Sequence, residues 1–212
     1  MQYNNRNIKK GSDKMKSDRI LSKPLCMSLL VCGFIYGLIL PFCWGNNPLS
    51  PTGTLSVLCE DKKLFFWIWG ILGAGGLSLN VQYLYKKFDI RNRFLDSLCV
   101  LSFLSMVGVA LTLGHNITTW NPKRIIHWVA TGAFIILLIA SISLFFIIYA
   151  KQYKYFGILA LCSLSVLAVF LFMFLVIGKS GLMEIVPLAM IQIFMFIVNF
   201  TPLVRVIRKS TV

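Results

Sequence analysis

Residues 125–149 read IIHWVATGAFIILLIASISLFFIIY, a continuous run with no Lys, Arg, Asp or Glu. A bilayer's hydrocarbon core is roughly 30 Å thick, and about 20 helical residues cross it. This run is long enough to do so. Working outward, five further runs have the same character: Leu25–Phe42, Leu64–Leu84, Leu95–Gly114, Tyr155–Ile177 and Leu182–Val204. In lipid, each backbone N–H and C=O must be satisfied within the protein, and continuous apolar runs of this length do that as helices. A membrane barrel would instead show short segments of alternating hydrophobicity. The expected fold is therefore all-α: a polytopic membrane protein, an antiparallel bundle of six transmembrane helices. It divides into a disordered basic tail at 1–23, a transmembrane domain at 24–204 and a short basic tail at 205–212.

The composition agrees. The chain is 58% hydrophobic and 13% charged, whereas about a quarter of residues are charged in soluble domains. The net charge of +14 falls between the apolar runs and not on one soluble face, so it reads as topology signal and contact with anionic headgroups, with no nucleic-acid partner. Sixteen basic residues share one side: those of the N-terminal tail, Lys86, Lys87, Arg91, Arg93, Lys151, Lys154, Arg205, Arg208 and Lys209. Only Lys62, Lys63, Lys123, Arg124 and Lys179 lie on the other. The positive-inside rule then predicts a multi-pass protein of the cell membrane with both termini cytoplasmic. The first run exceeds a signal-peptide core, and no small-x-small site follows it, so it is expected to be retained.

The longest connection, Cys43–Lys63, contains Pro48-Leu49-Ser50-Pro51-Thr52-Gly53 and four apolar side chains, Leu49, Leu55, Val57 and Leu58. It is expected to fold back over the bundle. Cys43 and Cys59 bracket it, which leaves a disulfide open as an option. The other cysteines lie in apolar runs as small hydrophobes.

Small residues let membrane helices approach closely. Gly33 and Gly37 in the first run, with Gly70, Gly73 and Ala74 in the second, are the expected packing positions. No ionisable side chain occupies the middle of any run, which argues against a pump or proton-coupled transporter. The polar residues that do stand out gather near one end: His115 and Asn116 after the third run, Arg124 and His127 opening the fourth, Glu184 opening the sixth, and Glu60 and Asp61 before the second. Two imidazoles and a carboxylate can hold zinc or exchange protons, so His115, His127 and Glu184 are the catalytic or metal candidates. The simpler reading pairs Glu184 with Arg124 or His127 at an interface anchored by Trp120 and Trp128. No HExxH, P-loop or GxSxG motif occurs, and no cofactor is expected.

Three local features carry a family resemblance: the outer loop Pro48–Gly53 followed by Leu64-Phe65-Phe66, the glycine-rich second run, and His127 followed by a helix with Ala130 and Phe134. Together they resemble the prokaryotic six-helix membrane family catalogued as domain of unknown function 998, akin to FRAG/DRAM/SFK-type membrane proteins. The resemblance implies the six-helix fold and a lipid-linked role, and no settled activity. The sequence thus predicts a non-enzymatic membrane protein that binds lipid, a membrane-protein partner or a second copy of itself. A lipid hydrolase using His115, His127 and Glu184 is the alternative, and a small-solute transporter the third reading.

Overall fold

In a computed structural model, residues 21–45, 47, 49–50, 53–113, 121–176, 178 and 180–202 are described. The six apolar runs form helices long and apolar enough to cross a membrane. We number them with one short loop helix: α1 (Lys23–Ile39), extended by a 3₁₀ segment Leu40–Gly45; α2 (Leu55–Leu58); α3 (Lys63–Lys87); α4 (Arg93–Leu111); α5 (Pro122–Ile148); α6 (Phe156–Val176); and α7 (Gly181–Phe200). Residues 1–20 and 203–212 and the segment holding His115, Asn116 and Trp120 lie outside the described residues, as do Pro48, Pro51 and Thr52, while Lys23, expected in the tail, opens α1.

Local chemistry sets several helix starts. Pro24 opens α1 and Pro122 opens α5, where a missing N–H costs nothing. Asn92, Asn121 and Ser180 cap α4, α5 and α7 by accepting backbone N–H groups of the first turn. Neighbours in sequence pack as neighbours in space from α3 through α7, and α7 returns against α1 and α3, so the long helices close into a ring.

The α1–α3 contact rests on glycine. A Cβ at Gly33 would stand 2.6 Å from the Leu72 carbonyl oxygen, and one at Gly76 would stand 3.2 Å from that of Leu29. Each helix therefore presses its backbone into the other's missing side chain. At Gly37 the neighbour is the Trp69 indole, at Gly70 it is Met106, and Gly73 lies in ordinary contact with Trp69 and Leu188. Ala74 is buried beside them. Within this stretch α3 widens into a π segment, Ile71–Gly75, a distortion that small side chains tolerate and that often marks functional helices.

A polar clamp ties α1, α3 and α7 together. Asn80 donates to the carbonyls of Cys26 (2.9 Å) and Gly76 (2.8 Å), and Asn199 of α7 donates to the Asn80 backbone carbonyl at 3.0 Å. Lys87 Nζ reaches the carbonyls of Val198 (2.6 Å) and Asn199 (3.3 Å), placing a cation at the negative end of α7. Around it the terminal half of the bundle is filled by aromatic rings: Phe88, Phe145, Tyr153 and Phe156 pack with centroids 4.5–6.0 Å apart.

The long loop folds back, though not with all four apolar side chains. Leu55 is fully buried, Val57 and Leu58 are half-buried, and Leu49 remains 61% exposed. Leu49 is held out by a local turn in which its N–H bonds the Asn47 side chain (2.9 Å) while Ser50 Oγ bonds the Asn47 carbonyl (2.9 Å). Cys43 and Cys59 are not joined: Cys59 is a buried thiol, and Cys43 Sγ lies 3.6 Å from the Ile39 carbonyl. Burial, with the Glu184 carboxylate nearby, pushes the Cys59 thiol up to about 11, so it stays protonated and poorly nucleophilic near neutral pH.

Candidate functional site

The end of the bundle beneath α2 brings together polar side chains from four helices and the loop. Glu184 lies in the first turn of α7, where the helix dipole favours a carboxylate. Its Oε2 accepts the N–H of Leu55 at 2.8 Å, so one charged side chain both serves its own helix and pins α2 to the bundle. Thr54 and Ser56 are buried by that docking.

His127 faces it from α5. The Asn121 cap and Pro122 fix where the helix begins, and five residues on the histidine points inward, 4% exposed. Thr131, one turn further, donates its hydroxyl to the His127 carbonyl at 2.8 Å. Thr112, at the end of α4, donates to the Gly108 carbonyl (2.7 Å) and lies 3.1 Å from His127 Nδ1. A hydroxyl has one proton. With that proton directed at the Gly108 carbonyl, Thr112 Oγ1 can accept an N–H from His127 Nδ1.

Two spaces border these residues. The inner chamber, about 40 Å³, is lined by the polar Ser56, His127, Thr131 and Glu184 and by the apolar Leu138, Ile139 and Ile191. The second, about 210 Å³, is a groove between α5, α6 and α7 walled by Trp128, Gly132, Phe170, Leu171, Phe174 and Met183. It shares Ser56, His127, Thr131 and Glu184 with the chamber. Leu171 at its rim is 46% exposed on the surface that would meet lipid, so the groove opens sideways. At Gly132 a Cβ would meet nothing within 4 Å. That empty position gives the groove its width.

A scan of family models, a search of curated proteins and a search of solved structures each find no match. The reading of this site therefore rests on its own chemistry.

Of the sequence-derived candidates, His127 and Glu184 line one shared space, and His115 lies outside the described residues. Glu60, Asp61 and Arg124 line neither the chamber nor the groove, whereas Trp128 walls the groove. Among the described residues, no three His, Cys, Asp or Glu side chains gather as metal ligands. Sequence reasoning passed over Ser56, Thr131, Gly132 and Pro187. Thr131 carried a usable signal, since it stands one helical turn from His127 and must share its face.

The arrangement has a polar end and apolar walls. It suits a molecule built the same way: a head at His127 and Glu184, with a chain lying along Phe170, Leu171 and Phe174.

Proposed function

We propose that this protein binds a lipid-like amphiphile in the groove between α5, α6 and α7, without transforming it. The observation that carries this reading is the sideways opening at Gly132 leading to the buried His127 and the half-buried Glu184. A ligand dissolved in the bilayer enters such a groove without crossing water, and only its head needs polar partners. The aromatic packing of the terminal half supports binding over small-solute transport, because a solute would have to pass Phe88, Phe145 and Phe156. The family likeness noted in the sequence points the same way. In this reading the protein sits in the cell membrane with both termini cytoplasmic and the site in the outer leaflet. Cysteines placed at Ser50, Asn92 and Ser210 on a cysteine-free background test that orientation. An impermeant reagent should label only the Ser50 position in intact cells, and labelling of either other position contradicts it.

The binding reading is tested by Gly132→Leu. The added side chain enters the groove's open space, and leucine is a better helix former than glycine by about 1 kcal/mol, so the variant should fold. Native mass spectrometry of wild-type protein purified in mild detergent should show a retained lipid-sized adduct that the variant lacks. Equal adducts in both, or none in either, would refute the reading.

One observation favours a second reading. His127, Glu184 and Ser56 border the same space, which gives an acid–base pair and a hydroxyl access to an ester. Ester turnover that disappears in both His127→Ala and Glu184→Ala, with the folded protein intact, would replace binding by lipid hydrolysis.

A further inference from the structure

We infer that a single water molecule is held between α1, α3 and α7, bridging the Trp69 indole to the side-chain amide of Gln192. The site is separate from the groove and does not depend on an amphiphile binding there. Trp69 is 7% exposed and Gln192 is 3% exposed. Their side-chain nitrogens, Trp69 Nε1 and Gln192 Nε2, are buried and have no hydrogen-bond partner among the described residues. A buried donor in that state carries its full desolvation penalty. Native proteins meet such groups with a protein atom or with an ordered water.

Both side chains line one small space of about 10 Å³, bordered by Phe34 and Gly37 of α1, Leu55 of α2 and Leu188 of α7. A water needs about 10–15 Å³ of such space and two or more polar partners. This space admits one water and offers two partners. None of its lining residues carries a charge or a hydroxyl, so an anion there would be buried without a counter-charge. The chemistry also selects water. The indole only donates, and takes one lone pair. The Gln192 amide has an NH₂ and a carbonyl, and either end serves: water accepts from the first or donates to the second. A lipid carbonyl would serve only the first, and it brings a chain that this volume does not admit. A Cβ at Gly37 would stand 3.3 Å from Trp69 Nε1, so the glycine keeps the approach to the indole open. The water thereby joins α3 to α7 across the small-residue face of α1 and gives a glutamine in the middle of α7 its partner.

Trp69 reports on its own site. Full-length protein carrying 15N-tryptophan, in detergent micelles, gives indole N–H signals from its five tryptophans, and the one lost in Trp69→Phe belongs to Trp69. Phenylalanine at each of the other four identifies it by elimination if that variant does not fold. The Trp69 Nε1–H should show a dipolar cross-peak at the water frequency, recognised by its opposite sign in NOE and ROE spectra, whereas proton exchange gives one sign in both. No lining hydroxyl is there to imitate it. Gln192→Met keeps the side chain's length without its polar atoms, and methionine adapts to irregular packing. It leaves the water a single partner, too few to hold it, so the cross-peak should lose most of its intensity. A wild-type Trp69 N–H with no water cross-peak, or with cross-peaks to lipid or detergent protons in its place, would overturn the inference. So would a cross-peak undiminished in folded Gln192→Met.

Discussion

Gly33→Ala is expected to destabilise the folded bundle by about 1–3 kcal/mol, the cost of overpacking a tight contact. The new methyl would meet the Leu72 carbonyl at 2.6 Å, and that atom is backbone, so no side-chain rotation relieves it. The Gln192 amide, 3.2 Å away, closes the third side. Relief requires α1 and α3 to separate, which also stretches the Asn80 bond to Cys26. The same substitution at Gly132 is the control. There the methyl meets nothing within 4 Å, and helix propensity alone should make Gly132→Ala neutral or up to about 1 kcal/mol more stable. Denaturation of both variants in micelles checks the contrast. Equal behaviour of the two would mean that α1 and α3 are not in backbone contact.

The second large effect is expected at Glu184. Glu184→Ala strands the N–H of Leu55, whose residue is 1% exposed, and a buried unpaired donor costs about 1–3 kcal/mol. The consequence should be local: α2 lifts, and amide exchange across 54–59 speeds up while α4 and α5 hold. Glu184→Gln keeps an amide oxygen for the same bond and should lose less than half as much. Docking of α2 should therefore survive in the glutamine variant. Unchanged exchange across 54–59 in Glu184→Ala would show that the carboxylate does not hold the loop.

The parts of this structure that were legible in the sequence are those with a single physical solution. A run such as 125–149 has no stable place outside lipid or a large core, and in lipid its backbone can only be helical. Glycines 33, 37, 70 and 73 were legible as packing positions because a membrane interface rewards close approach. His127 and Glu184 stood out because polar side chains at the ends of apolar runs are few. What remained hidden depends on tertiary placement. Gly132 reads as one more small residue until α6 is seen to stand away from it. Ser56 and Thr131 read as ordinary hydroxyls, which in helices commonly bond back to their own backbone, as Thr131 does. Leu49 was expected to bury with Leu55, but the Asn47 turn takes precedence over its hydrophobicity. The π segment was also invisible, since a glycine cluster permits a wide turn without requiring one.

The proposed binding site is a groove that opens sideways and ends at His127 and Glu184. An experimental density map of the protein in lipid nanodiscs tests it most directly. Elongated density is expected to enter between α5 and α6 beside Gly132, with its inner end within hydrogen-bonding distance of the Glu184 carboxylate. A closed seam, with Phe170 and Leu171 packed onto Gly132 and no density behind them, would contradict it.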